Sequence, residues 1–478
     1  MLNWDSFRYK QQMEDKCLIE FEKATFRLFT RKVFEHTSLK ITAGEHLAIL
    51  GNNASGKTTF AKALTAAIPS IKGKASFHIP YTKIAYVSFS SSLKLTNNAD
   101  DAYLQQRWQS FDVETAPLVK DFFWPKQMIS EETKRLLKEF KAIDLLEKRN
   151  IQLSNGELRK IELVKALSSQ PALMVLDNAF VGLDVGSRAV LRAVLKQAGR
   201  SCTLILIALE DTEIPDFISR KVYCKDMQLV DKADMCEAVS AGMIPSNLFQ
   251  LKPLALENIV ALHNVNIAYG KHIILHSINW RIKPKEHWAL IGPNGSGKST
   301  ILSLLVGDNP QAYAEHIYLF GKHKGSGETI WDIKRKIGFI SPELHQFSPK
   351  HHLIREILID DMLWLYPGTN RREVLEKAKG WLKWFGLNIR LEGRFGAISS
   401  GEQRLLLFIR SLIYPFSLFI ADEPCQGLDE QNIQKVRAVF KYLAEESEVP
   451  SIFVTHKQTE LPETTTLVFD LREENRQS

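Results

Sequence analysis

Two stretches of the chain have the residue types and spacing that grip a phosphate. Gly51, Asn52, Asn53, Ala54, Ser55, Gly56, Lys57 and Thr58 form one, and Gly292, Pro293, Asn294, Gly295, Ser296, Gly297, Lys298 and Ser299 form the other. In a loop of this pattern the glycines let backbone N–H groups wrap around phosphate oxygens. The lysine reaches the terminal phosphates, and the hydroxyl of Thr58 or Ser299 ligates magnesium. Thr59 and Thr300 follow directly and belong to the same binding segment. Each loop follows an apolar run, HLAIL or HWALI, and leads into a helical pattern, TTFAKAL or STILSLL. That strand-to-helix setting is what separates a phosphate loop from a chance glycine-rich turn.

Further along, two short apolar strands, LMVLD and LFIAD, end in Asp177 and Asp422, placed to hold magnesium through its water shell. Other landmarks recur in the same order. The stretch LSNGE (153–157) is answered by ISSGE (398–402), and Gly182, Leu183 and Asp184 by Gly427, Leu428 and Asp429. The repeating unit is therefore a whole domain. A chain of 478 residues also exceeds one hydrophobic core. The expected organisation is a first domain over 1–232, a linker over 233–257 and a second domain over 258–478.

The elements that must position these residues follow from periodicity. LIEFEKATFRLF and VALHNVNIAY alternate as strands do and open each half. Helical spacing runs over 131–148 and 371–385, ahead of each LSNGE-type stretch, and TLILIAL and SIFVT supply further buried strands. The fold class expected is α/β: two phosphate-loop domains, each with a small antiparallel β element, a mainly parallel sheet core and a helical subdomain. The linker contains Gly242, Pro245 and Pro253 with weak periodicity and no long charged helix.

Composition bounds the rest. The net charge of +7, from 62 basic and 55 acidic residues, is too mild to select a nucleic acid or a membrane surface. The five cysteines include no CxxC pair, so reduced thiols in a cytosolic protein are expected, with neither disulfides nor zinc. The longest apolar runs fall far below the roughly 18 residues that span a bilayer, and the N-terminus lacks the apolar core of a secretory signal. The histidines at 345, 351 and 352 lack metal-ligand spacing and read as a solvated loop.

The order of these motifs, twice over, resembles the ABC ATPase superfamily: Walker A loop, LSGGQ-like signature, Walker B strand and GLD D-loop. Within it, residues 307–344, with GSGETIWDIK, resemble the tandem-cassette ModF family of molybdate-transport ATP-binding proteins. The resemblance implies that two cassettes sandwich two ATP molecules, each held by the Walker A loop of one cassette and the signature of the other. Ser154, Gly156 and Glu157 would then face the ATP of the second cassette, and Ser399, Gly401 and Glu402 that of the first. Glu423, after Asp422, stands where the family keeps the carboxylate that polarises the attacking water. His456 matches its switch histidine, and Tyr269 its adenine-stacking aromatic. The first half departs at all three places, with Asn178, Leu209 and Leu28, the last flanked by Phe26 and Phe29. An amide cannot act as a base, so hydrolysis is expected mainly in the second domain. The Q-loop glutamine is missing from both halves; Ser90 and Pro342 stand near its place, with Glu343 next.

ATP and magnesium are thus the cofactors expected. Two roles stay open on these residues. One is the ATP-binding subunit of a transporter whose membrane-embedded partner is a separate protein, located on the cytoplasmic side. The other is a soluble regulatory or ribosome-associated ATPase with no channel. The short linker weighs against the second, and the altered Q-loops against conventional transport coupling. Fusion makes cassette pairing intramolecular, so a monomer suffices.

Overall fold

The computed structural model describes residues 16–28, 31–88, 117–125, 128–150, 153, 155–183, 185–218, 220–232, 242–269, 272–293 and 295–474. Described residues up to 232 belong to one compact unit and those from 242 onward to another.

Unit one opens with β1 (Cys17–Leu28), β2 (Arg31–Thr42) and β3 (Leu47–Leu50), then helix α1 (Lys57–Leu64), β4 (Ser70–Phe77) and β5 (Ile84–Ser88). Strands β1, β2 and β4 form the small antiparallel sheet in the order β2-β1-β4. Next come α2 (Glu131–Glu139), α3 (Asn155–Leu167), β6 (Leu173–Asp177), α4 (Val185–Ala198), β7 (Thr203–Ile207), β8 (Arg220–Lys225) and β9 (Gln228–Val230). The core sheet runs β5-β6-β7-β3-β8-β9, parallel except for the last hairpin. Strands β3, β6 and β7 are buried at every residue, as expected of parallel strands covered on both faces.

Unit two repeats the plan. Its antiparallel sheet, in the order β11-β10-β13-β14, comprises β10 (Val260–Tyr269), β11 (His272–Ile282), β13 (His316–Leu319) and β14 (Lys322–His323). Its core sheet, β15-β16-β17-β12-β18, is wholly parallel and comprises β12 (His287–Ile291), β15 (Ile337–Ile340), β16 (Leu418–Asp422), β17 (Ser451–Val454) and β18 (Leu467–Asp470). Helices α5 (Lys298–Leu305), α6 (Pro342–Phe347), α7 (Arg371–Phe385), α8 (Ser400–Ile413) and α9 (Glu430–Glu446) surround it.

Each unit has two cores. One lies between the antiparallel sheet and the core sheet, around Phe21, Phe26 and Phe60 in unit one and Trp280, Ile301 and Ile420 in unit two. The other supports the helices, around Leu163, Phe180 and Leu206 or around Trp381, Phe408 and Phe419. Both sequence copies therefore build the expected α/β cassette.

Three local details differ from the sequence reading. The helix expected over 131–148 stops at Glu139. Lys141 turns left-handed (φ +51°) and a 3₁₀ turn covers Ile143–Glu147, which brings Phe140, Ala142, Leu145 and Leu146 into one core. His345 is not in a solvated loop but buried in α6, with burial holding its pKa well below the usual imidazole range. Its Nε2 lies 2.9 Å from Gln403 Oε1, an acceptor, so Nε2 carries the proton. Of the stretch read as a linker, 233–241 lie outside the described residues, while Ile244, Leu248 and Phe249 are buried in unit two. Phe249 stacks on Tyr442 of α9 at 4.5 Å and meets Trp381 of α7 edge-on at 4.9 Å.

Candidate nucleotide sites

In both units the phosphate loop leaves a central strand, β3 or β12, and ends on a helix N-terminus, the end whose backbone N–H groups and dipole favour an anion. Gly56 (φ +105°) and Gly297 (φ +101°) are the N-caps. A Cβ at Gly56 would lie 2.5 Å from Met227 Sδ, and one at Gly297 2.7 Å from Leu275 Cδ2, so both conformation and space demand glycine. Lys57 and Lys298 fold back over their loops. Their Nζ atoms donate to the carbonyls of Gly51 (2.6 Å) and Asn52 (2.7 Å), and of Gly292 (2.7 Å) and Pro293 (2.9 Å). An ammonium held in this cradle is aimed at whatever the loop encloses.

The acids at the strand ends sit where the sequence put them, both buried. In unit one Thr58 Oγ1 donates to Asp177 Oδ2 at 2.8 Å, and Tyr86 donates its phenol to the same oxygen at 2.9 Å. Asp177 Oδ1 is buried without a partner among the described residues. A hard divalent cation takes oxygen ligands and keeps several waters. A threonine oxygen beside an orphaned carboxylate oxygen fits that requirement, because the orphan can accept from a metal-bound water. Burial raises the Asp177 carboxyl above the usual range, against the hydrogen bonds from Thr58 and Tyr86.

The residue after each acid is where the units diverge. Asn178 and Glu423 both adopt left-handed backbone, φ +60° and +50°. Asparagine tolerates that region, whereas glutamate does so at a cost of about 1–3 kcal/mol. Glu423 Oε1 lies 2.7 Å from His456 Nδ1, with the side chains 11 % and 9 % exposed. Their outer atoms, Glu423 Oε2 and His456 Nε2, are buried and unpartnered among the described residues. In unit one the register aligns Leu209 with His456: Ile207 pairs with Asp177 as Val454 pairs with Asp422, and each residue follows two places later. Leu209 offers only its backbone N–H, which donates to Glu213 Oε2 at 3.1 Å.

The remaining sequence-predicted residues are placed as follows. Tyr269 ends β10 and its hydroxyl accepts from Asn309 at 3.1 Å. Leu28 ends β1 half-buried, Phe26 is consumed by the core and Phe29 lies outside the described residues. Ser399 caps α8 in a reciprocal pair: its Oγ accepts from the Glu402 N–H (3.3 Å), and Glu402 Oε2 accepts from the Ser399 N–H (2.8 Å). A glutamate serves this capping box as well as a glutamine would, and the serine hydroxyl keeps its own proton to donate. Gly401 is buried in the first turn of α8. Glu157, in the first turn of α3 with Gly156, pairs with Lys148 at 2.7 Å. Ser154, Asn294 and Ser90 lie outside the described residues. Pro342 begins α6, with Glu343 in its first turn.

Sequence reasoning missed three residues. Arg159 and Arg404 stand at the same place after each signature, and burial lowers both guanidinium pKa values to about 10. Arg159 donates to the carbonyls of Asn178 (3.3 Å) and Val181, and Arg404 to Gln426 Oε1 (2.7 Å), so each ties the signature helix to the segment after the acid. Their recurrence in both halves was a readable signal. Tyr86 gave none, because only strand register brings it to Asp177.

Comparison with known proteins bears on the family and the fold. The family model described as ABC transporter matches residues 34–181 and 275–426. The ABC transporter ATP-binding protein ModF of Escherichia coli is 33 % identical, over 93 % of this chain and 94 % of its own. An uncharacterized ABC transporter ATP-binding protein of Schizosaccharomyces pombe is 29 % identical over 93 % and 96 %. Among solved structures, ribosome-bound archaeal Pelota and ABCE1 matches with a TM-score of 0.58 at 16 % identity, covering 94 % of this chain and 76 % of that one, a likeness of fold.

Proposed function

The chain belongs to the ABC transporter family as a tandem-cassette ATPase, and from that premise we propose that it closes its two cassettes head to tail around two ATP molecules and splits ATP mainly at the loop of unit two. The observation that carries this reading is the buried Glu423–His456 pair at 2.7 Å, set against Asn178 and Leu209 in unit one. Glu423 Oε2 accepts the proton of a water as its oxygen bonds to the γ-phosphorus and the bond to the β-phosphate oxygen breaks. An ionised Glu423 requires the proton on His456 Nδ1. Nε2 of a neutral ring is then a bare lone pair, so the ring approaches the γ-phosphate either as imidazolium or after parting from Glu423. Ser299, and Asp422 through water, would hold magnesium, which when bound would neutralise charge on the phosphates. Thr58 and Asp177 would hold it at the first loop, where on this reading ATP is kept intact.

Among the described residues no helix is long and apolar enough to cross a membrane. We assign the chain as the ATP-binding subunit of a transporter whose channel is a separate protein, because its relatives carry transporter names over nearly their full length. Recovery of a membrane protein with the endogenous chain from solubilised membranes supports this; recovery of ribosomes alone refutes it. The head-to-tail pairing has its own test in Ser154→Arg and Ser399→Arg. The first should silence turnover, because Ser154 serves the working site, and the second should reduce it less. If each residue were only a helix cap, both changes would cost about 1 kcal/mol of stability with no selective effect on turnover. A dead Ser399→Arg beside an active Ser154→Arg overturns the pairing.

A further inference from the structure

The first phosphate site contains a group that the ATPase reading leaves unused. Tyr86 lies on β5, which pairs with β6 in the register Tyr86↔Val175 and Ser88↔Asp177. The residue is 38 % exposed, yet its hydroxyl reaches across to Asp177 Oδ2 at 2.9 Å. That oxygen also receives Thr58 Oγ1, so both of its in-plane lone pairs are engaged. Two donors on one oxygen fix the carboxylate plane. The other oxygen, Oδ1, is left buried and unpartnered among the described residues, beside the hydroxyl of the phosphate loop. In unit two the equivalent register place, opposite Ile420 two residues before Asp422, is Phe339, which has no hydroxyl. The two strands differ at this position by a single oxygen.

We propose that Tyr86 is a positioning residue for the metal side of the first site: its phenol locks the Asp177 carboxylate so that Oδ1 faces the metal's water shell, and unit one thereby retains magnesium-bound ATP more tightly than unit two does. This rests on the reading that unit one binds ATP without splitting it. A hydrogen bond from a neutral donor to a carboxylate shifts affinity by about tenfold or more when it orients a ligand's partner. Without it Asp177 Oδ2 keeps only the Thr58 donor, and one hydrogen bond leaves the carboxylate free to turn about it. In unit two Phe339 leaves Asp422 without that phenol, which suits a site that must release its products.

The test uses the full chain carrying Lys298→Ala, with labelled ATP bound at equilibrium in magnesium and in EDTA. The readout is the ratio of the two affinities, which general loosening of the fold would not move. Tyr86→Phe should lower the ratio about tenfold, with the EDTA affinity unchanged. The reciprocal Phe339→Tyr, in a Lys57→Ala chain, should raise the ratio at unit two. An unchanged ratio in both variants, or equal losses with and without magnesium, overturns the proposal. If the Lys298→Ala parent retains no ATP that Lys57→Ala abolishes, the underlying reading of unit one falls as well, and that failure is visible before Tyr86 is touched.

Discussion

The turns after β7 and β17 share the same scaffold and differ in the chemistry they carry. In unit one Glu213 accepts from the Leu209 N–H and sits 3.6 Å from Arg188. In unit two Glu460, at the same place, accepts from Thr455 at 3.1 Å and pairs with Lys457 at 3.1 Å. Both glutamates are buried and both brace a short 3₁₀ turn. The supporting carboxylate survives in each, while the imidazole and carboxylate that would meet a phosphate survive only in unit two. A cassette that had merely decayed would be expected to lose its braces too. Unit one instead keeps its lysine cradle, its acid and its turn, the pattern expected if, as proposed, the site holds ATP without splitting it. The strained backbone of Glu423 makes the converse point, because an asparagine would sit there at lower cost and unit one has one.

The comparison can be broken most sharply at Glu423. Exchange for glutamine leaves the shape and removes the acceptor, and phosphate release should fall by about 10²–10³-fold; near-normal release would remove Glu423 from its role. Lys298→Ala should be equally inactive through lost phosphate contacts. His456→Ala should slow release by a smaller factor, on the order of tenfold to a hundredfold, whereas Leu209→Ala at the matching position should leave release nearly unchanged. Equal losses at the two positions would mean that the turns are not distinguished by chemistry.

A gentler probe lies five residues beyond each signature glutamate, where α3 has Glu162 and α8 has the buried Leu407. Burial raises the Glu162 carboxyl from 4.5 to about 7, despite Arg159 and Lys165. The folded chain therefore holds a proton there that the unfolded chain has released. The stability this contributes is complete below about pH 4.5 and is lost as pH rises through about 7. Glu162→Gln should accordingly stabilise unit one by about 2 kcal/mol above pH 7 and hardly at all in acid, as read by thermal unfolding across pH. A pH-independent effect would show that the carboxyl is not buried as described.

Much of this was legible in the sequence because the informative residues are close along the chain. The loops, their flanking strands, Asp177 and Asp422, and the substitutions at Asn178 and Leu209 could all be read from short motifs in a fixed order. What could not be read depends on pairing between distant segments. Tyr86 meets Asp177 only through the register of β5 on β6, and His345 is buried only because α6 packs beside Gln403 of α8. Phe249 lies in a stretch with no periodicity, and its burial against Trp381 and Tyr442 comes from single aromatic contacts rather than from a repeating face. The helix that stops at Glu139 failed for a related reason, since apolar residues at 140, 142, 145 and 146 serve a turned segment as well as a helical one.

The central claim is that the two sites differ in what they do to ATP, and it can be tested by counting. The chain is loaded with ATP labelled in the base and in the γ-phosphate, allowed to turn over, and trapped before the nucleotides it holds are separated. The account predicts an equal mixture of intact ATP and ADP per chain, with the intact ATP lost in Lys57→Ala and all of the nucleotide intact in Glu423→Gln. Two ADP per chain, or intact ATP that survives Lys57→Ala and disappears in Lys298→Ala, would contradict it.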